Sequence, residues 1–426
     1  MRNYIDRRNV RNLEKVEMVW FRTLSKTYSR ILPAILPESN KRVPSYFPTA
    51  AKVLGLSLTA GALVTGTVYA DQDENPMYRS VKKEKVLKNS KKPSREGRNE
   101  ELLVISGNAN KTLANEIADH LGSSLGKISL SRFADGEVSL RILESCRGKD
   151  VYIIQPTSPP VNEHLMELFL MISTCRRASA KRITAVIPYY GYARQDRKMN
   201  SRVPISAADV AKLLEAMGVD RVVSMDLHSG QIQGFFGPRV PVDNLEANIV
   251  GLEYFKNMHL EKPIIISPDA GGVYRARKFQ EGMISRGHES TGIAMLIKQR
   301  SGPNQIERMD LVGQVAGSDV IIVDDMIDTA GTLCQAAVEL RKHGAKRVFA
   351  YATHGLFNGP AIERIAAAPL EEVVVTNSIA ASPEVKSCPK LKILDVSILL
   401  ADAIRRIHLK ESLYDLFATE GAAEAA

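Results

Sequence analysis

Residues 320–332, VIIVDDMIDTAGT, bring three carboxylates and a small-residue turn together at the end of an apolar run. Val320, Ile321, Ile322 and Val323 are uninterrupted and β-branched, the pattern of a central parallel strand covered on both faces. Asp324 and Asp325 then fall at its carboxyl end. Asp328, Thr329, Ala330, Gly331 and Thr332 make a loop whose small side chains leave amide N–H groups free to face an anion. A helix starts there, with Leu333, Ala336, Ala337 and Leu340 spaced for one apolar face. Its amino end favours a phosphate through unpaired amides and the helix dipole. Acidic caps on a strand-turn-helix would account for a single Asp. Three of them with TAGT point to function, and the ligand they suit is a ribose phosphate with bound magnesium.

Other clusters obey the rule that ligands of open α/β sheets collect beyond the carboxyl ends of strands. RVVSM runs into Asp226, Leu227 and His228; the Asp and the His are two apart in an extended stretch, so they face the same side. An imidazole and a carboxylate suit a divalent ion that also binds phosphate oxygens; alone, such a pair is more often only hydrogen-bonded. PIIIS runs into Pro268 and Asp269, followed by Ala270, Gly271 and Gly272, where backbone can approach a ligand closely. An Asp capping a helix from about Val273 is the alternative, compatible with the same job. TAVIP runs into PYYGYARQD, where Arg194 can pair with phosphate oxygens or stack on a base and Gln195 can read a purine edge. IKQRSGPN, with Lys298 and Arg300, reads by composition as an exposed basic loop.

The elements that position these residues are duplicated. AKR at 180–182 and at 345–347 each precede an apolar strand, and DVYIIQPTSPPVN from Asp150 matches DVIIVDDMIDTAG from Asp319 in pattern. Two copies of one α/β unit follow, with mainly parallel sheets flanked by helices. The expected domains are 101–245 and 246–417, with a disordered tail at 418–426. QPTSPPVN has lost the carboxylates, so only the second copy should hold ribose phosphate. The first then supplies nucleotide and metal contacts at the seam.

DDMIDTAGT resembles the ribose-phosphate loop of the type I phosphoribosyltransferase fold. FADGE at 133–137, YARQD at 192–196, MDLHSGQIQGFF at 225–236 and SPDAGG at 267–272 narrow the resemblance to the ribose-phosphate diphosphokinase, or phosphoribosyl pyrophosphate (PRPP) synthetase, family. It covers about residues 101–417. The resemblance implies transfer of the β,γ-diphosphoryl group of ATP to the 1-hydroxyl of ribose 5-phosphate, with Mg2+, giving PRPP and AMP. It assigns ATP contacts to Phe133, Asp135, Glu137, Arg194, Gln195, Asp196 and His228, and metal contacts to Asp226, His228, Asp243 and Asp269. Ribose 5-phosphate falls to Asp269, Asp324, Asp325, Asp328, Thr329, Ala330, Gly331 and Thr332. Lys298 and Arg300 become part of a mobile catalytic loop, with His228 as a further catalytic residue, because negative charge builds up as the bond to AMP breaks. FADGE would enter the ATP site of a neighbouring subunit in a homo-oligomer of dimers assembling to a hexamer.

Two departures stand out. Relatives often carry an Asp after GFF, whereas Gly237, Pro238 and Arg239 follow here, which makes His228 a firmer ligand than Asp226. Ser145, Arg147, Arg202 and Ser412 match an allosteric region, but Tyr414 stands where many relatives have a second Ser, leaving phosphate activation and ADP inhibition open. The rivals are a phosphoribosyltransferase consuming PRPP, which needs none of RQD, DLH or FADGE, and a noncatalytic synthetase-associated regulatory subunit. Such subunits interrupt the Lys/Arg loop; IKQRSGPN is uninterrupted.

Length and apolar fraction allow two domains with real cores. The net charge of +9 is unevenly placed: 20 of 57 Lys+Arg and 10 of 48 Asp+Glu lie in residues 1–100, leaving 37 and 38 elsewhere. The catalytic region is thus near neutral, which excludes a nucleic-acid partner. Cys146, Cys175, Cys334 and Cys388 lack CxxC spacing and fit reduced core thiols. Residues 1–48 are rich in Arg and Ser, as in an organellar presequence such as a mitochondrial one, although Asp6, Glu14 and Glu17 count against it. The apolar segment 49–70 contains 18 uncharged residues from Val53, enough to meet a membrane or act as a sorting signal; a buried apolar stretch is the alternative. Residues 71–100 form a Lys-rich linker. An organelle and the cytoplasm both stay open as locations.

Overall fold

The computed structural model describes residues 101–302 and 305–417, with the backbone alone at 298–302, 305–308, 415 and 417. The extension 1–48, the segment 49–70, the linker 71–100 and the tail 418–426 lie outside the described residues. The first half runs β1 (Leu102–Ser106), α1 (Lys111–His120), β2 (Ile128–Arg132), β3 (Val138–Ile142), β4 (Asp150–Ile154), α2 (Val161–Arg177), β5 (Arg182–Ile187), α3 (Ser206–Met217), β6 (Arg221–Met225) and β7 (Val242–Leu245). The second runs α4 (Asn248–Lys256), β8 (Ile264–Ser267), α5 (Val273–Ile284), β9 (Gly292–Gly302), β10 (Gln305–Val312), β11 (Asp319–Ile327), α6 (Gly331–Lys342), β12 (Arg347–Gly355), α7 (Ala361–Ala367), β13 (Glu372–Thr376), α8 (Pro383–Ser387), β14 (Leu391–Leu394), α9 (Ser397–Leu409) and α10 (Tyr414–Phe417).

The first sheet has the order β1-β4-β5-β6-β7, and the second contains the same arrangement as β8-β11-β12-β13-β14, all parallel. In each copy a hairpin is inserted after the first helix: β2–β3 stands as its own two-stranded sheet, while β9–β10 extends the second sheet beyond β8. The repeated residues do the same work twice. Asp150 lies in register with Arg182, and Asp319 with Arg347. Both pairs are forked, with Arg182 Nε 2.8 Å from Asp150 and Arg347 Nε 3.0 Å from Asp319. Lys181 meets Glu101 at 3.0 Å, and Lys346 meets Glu261.

β11 shows why its apolar run is continuous. Val320 and Ile322 join Leu333, Ala336, Ala337 and Leu340 of α6 on one face. Ile321 and Val323 join Phe255 of α4 and Phe279 of α5 on the other. The last long helix returns to the first sheet: Leu400, Ile404 and Ile407 of α9 bury with Val104, Leu113 and Ile117. His408 Nδ1 lies 2.8 Å from Asp150 Oδ2, and Arg182 donates to the Ile407 carbonyl at 3.2 Å, so the Asp150–Arg182 pair also holds this helix.

One expectation is corrected. Lys298 and Arg300 do not sit in a loop; their backbone belongs to β9, paired antiparallel with β10, Lys298 opposite Met309 and Arg300 opposite Ile306. The run GIAMLIKQR has the residues of a strand, and the basic pair conceals it.

Burial alone would raise the buried Asp319 carboxyl, but hydrogen bonds from Arg347 and the Glu261 amide hold it below its ordinary value of 3.8. Its contribution to stability is therefore present above that value and lost as pH falls through the lowered one. Arg347→Ala should cost about 2–3 kcal/mol at pH 7, discounted for the partly exposed arginine, and less at pH 3. Urea unfolding at both pH values checks this; an equal cost at both would contradict it.

Candidate functional site

Two short contacts join the halves. His228, in the loop after β6, places Nδ1 2.7 Å from Oδ2 of Asp325 near the carboxyl end of β11. Arg194, in the loop after β5, donates to Asp328 Oδ2 at 2.7 Å. Behind them His354 of β12 is buried, with Nε2 3.1 Å from the Met225 carbonyl and Nδ1 2.9 Å from Ser378 Oγ. Its ring meets Tyr189 edge-on at 5.1 Å. Burial lowers its pKa to about 4, so it is neutral and structural.

The charges at the seam are strongly coupled. The hydrogen bond to Asp325 raises the pKa of His228. Burial would push Asp325 up, but His228 and Arg275 hold it well below the carboxylate range. Asp324 moves the other way, raised by burial and by the adjacent Asp325 charge. Arg275 Nη1 lies 3.6 Å from Asp324 Oδ1 and 3.5 Å from Asp325 Oδ1, the cation that allows two neighbouring carboxylates near one strand end.

Beyond them Ala330 is left-handed at φ 56°, and α6 begins at Gly331. That turn opens the amides of Gly331 and Thr332 at the amino end of the helix, the arrangement an oxyanion needs. Asp269 is extended, its Oδ1 accepting from the Gly272 amide at 3.1 Å, so it caps the turn leading into α5.

A family profile described as the N-terminal domain of ribose phosphate pyrophosphokinase matches residues 102–218, and one described as a phosphoribosyl synthetase-associated domain matches 287–418. The ribose-phosphate pyrophosphokinase of Helicobacter pylori strain J99 is 50% identical over 316 residues, 74% of this chain and 95% of its own length. That of Vibrio cholerae serotype O1 is 52% identical over 318 residues, 74% of this chain and 99% of its own. The crystal structure of phosphoribosylpyrophosphate synthetase from Mycobacterium smegmatis matches with TM-score 0.67 and 40% identity, over 72% of this chain and 99% of that one. The chain belongs to the ribose-phosphate pyrophosphokinase family.

For a ribose-phosphate pyrophosphokinase, the seam gathers His228, Asp324, Asp325, Arg194, Asp328 and the turn 329–332. Asp196 is buried beside them, and its charge also raises His228. Gln195 Oε1 accepts from the Ser206 hydroxyl. Lys298 and Arg300 are placed by backbone alone. Two of the metal candidates are bonded within the chain. Asp226 is not extended but left-handed at φ 37°, and its Oδ2 accepts from the Thr353 hydroxyl at 2.6 Å and the Ala247 amide at 2.9 Å. Burial lifts its pKa to about 6, and it serves as a buried tie between the halves. Asp243 lies within β7 and is ion-paired with Arg221. Among the described residues no group of three or more His, Cys, Asp or Glu is arranged to hold a metal ion. Asp324 and Asp325, adjacent on β11, suit a hard cation that brings its remaining ligands with the substrate.

FADGE is the tip of the β2–β3 hairpin, closed by Phe133 N–H to the Glu137 carbonyl at 2.8 Å and by Gly136 at φ 93°. Phe133 is 57% exposed. Among the described residues no hydrogen bond, ion pair or ring contact joins Phe133, Asp135 or Glu137 to the seam. Ser145 and Arg147 lie exposed after β3, Arg202 is exposed and left-handed at φ 60°, and Ser412 Oγ accepts from the Tyr414 amide at 3.1 Å; no such bond brings these four together.

Sequence reasoning missed Arg275 and Glu167. An arginine in the first turn of α5 opposes the helix dipole unless carboxylates face it, which was a usable signal. Glu167 of α2 is buried in the first copy. Its fully buried carboxylate takes Asn108 Nδ2 at 2.8 Å, Gln155 Nε2 at 2.8 Å and Arg132 NH2 at 3.0 Å.

In the ligand-free protein the His228 ring should titrate above 6.5. Asp325→Asn should bring it to 6.5 or lower, because the raising partner is gone and burial, which lowers it, remains. Proton NMR of the ring checks this; an unchanged midpoint would contradict the coupling.

Proposed function

We propose that the seam is the site at which the β,γ-diphosphoryl group of ATP passes to the 1-hydroxyl of ribose 5-phosphate. The oxygen at C1 forms a bond to the β-phosphorus, the bond from that phosphorus to the α,β-bridging oxygen breaks, AMP leaves with that oxygen and the hydroxyl proton is released. The observation that carries this reading is the pair of 2.7 Å contacts, His228 to Asp325 and Arg194 to Asp328, which set the ATP candidates of one repeat directly against the sugar-phosphate candidates of the other.

In this reading the amides of Gly331 and Thr332 hold the 5-phosphate, with Thr329 and Ala330 shaping their turn. Asp269, Asp324 and Asp325 orient the ribose hydroxyls. Asp324 and Asp325 would hold Mg2+, which neutralises phosphate charge when bound. His228, whose pKa Asp325 raises, faces a nucleotide phosphate. Arg194 keeps donors beyond the one given to Asp328 for phosphate or base. Gln195 and Asp196 complete the near side of the nucleotide, and Phe133, Asp135 and Glu137 serve the site of a second copy in a homo-oligomer. The exposed hairpin tip, with no bond to its own seam, supports that assignment. Lys298 and Arg300 supply fixed positive charge as the bond to AMP breaks.

The purified chain with ATP, ribose 5-phosphate and Mg2+ should release AMP and PRPP in equal amounts. ADP as the nucleotide product, or turnover only with PRPP and a base, would refute the reading. Lys298→Ala should lower kcat by roughly a hundredfold or more with little change in either KM, since its contact strengthens in the transition state. A raised KM at unchanged kcat would contradict that role.

A further inference from the structure

The sugar-phosphate turn is held in a strained shape from outside. Ala330 is left-handed, a conformation costly for any residue with a Cβ, and α6 has no side-chain cap to fix it. The bracing comes from the connection between β12 and α7. Leu356 and Phe357 donate their amides to the Ile327 carbonyl at 2.8 and 3.2 Å, tying this connection to the end of β11. Asn358 Nδ2 then donates to Asp328 Oδ1 at 2.7 Å, and Arg364 NH1 of α7 donates to the Thr329 carbonyl at 2.9 Å. The same guanidinium nitrogen would lie only 3.4 Å from a Cβ at Gly331. Arg364 therefore runs along the outer edge of the turn, gripping the carbonyl that immediately precedes the strained residue.

We propose that Arg364 is a positioning residue for the sugar-phosphate site. By holding the Thr329 carbonyl it keeps Ala330 left-handed and the Gly331 and Thr332 amides turned toward the 5-phosphate, without touching substrate itself. The inference rests on the reading of residues 328–332 as the 5-phosphate loop. An arginine that bound the phosphate directly would act the same whatever residue stood at 330. A brace acts only as strongly as the strain it opposes, and glycine at 330 removes that strain.

The test compares wild type, R364A, A330G and the double variant, measuring ribose 5-phosphate binding by calorimetry, steady-state kinetics and amide hydrogen exchange over 328–334. R364A should weaken ribose 5-phosphate binding about tenfold and raise its KM alike, with kcat and the KM for ATP changed by less than about twofold. Placed on A330G, the same change should cost no more than about threefold. Exchange at Gly331 and Thr332 should quicken in R364A and in R364M, which keeps the stem and removes the donor. An equal loss on both backgrounds, or unchanged exchange, overturns the brace. Wild type that fails to bind ribose 5-phosphate refutes the underlying site reading, while exchange still judges the brace on its own terms.

Discussion

Everything at the seam turns on one buried carboxylate. Asp325 stands near the end of a strand that is apolar on both faces, beside a second carboxylate, and stays ionised because Arg275 and His228 bring positive charge to it. The arginine comes from its own repeat and the histidine from the other. A charge that needs partners from both halves fixes the distance between them, and that distance determines whether two substrates can share one crevice. Asp226 and His354 reinforce the join from below, each bonded across the seam to the opposite repeat.

Duplication supplied the frame, and divergence at the strand ends supplied the division of labour. The Asp–Arg and Lys–Glu pairs at the amino ends of the strands are kept in both copies. At the carboxyl ends the copies differ. Glu167 satisfies the donors around it in the first copy from within the chain, while the second sets Asp324 and Asp325 against Arg275 and His228. The hairpins inserted at the same point of each repeat have diverged likewise, one standing apart with an exposed acidic tip and the other widening the second sheet.

The fold was legible in the sequence wherever period and repetition agree. β11 and α6 could be read because each follows one rule along its length, and the two AKR motifs announced the repeat. The site was legible where chemistry clusters along the chain, as in DDMIDTAGT. It was illegible where one backbone angle or a distant partner decides the outcome. The left-handed φ at Asp226 and its bond to Thr353 of the other repeat are given by nothing in DLH. Nothing beside Asp243 in the chain announces its bond with Arg221, 22 residues away. Arg364 lies 35 residues from the carbonyl it holds, a separation no local pattern spans.

The central claim is that one crevice takes both substrates. A crystal structure of the protein with ribose 5-phosphate and a nonhydrolysable ATP analogue tests it most directly. The account predicts the 5-phosphate on the amides of Gly331 and Thr332, and the triphosphate alongside His228 and Arg194, with the sugar C1 oxygen facing the β-phosphorus. Two ligands in separate clefts, with His228 and Asp328 lining different ones, would contradict it.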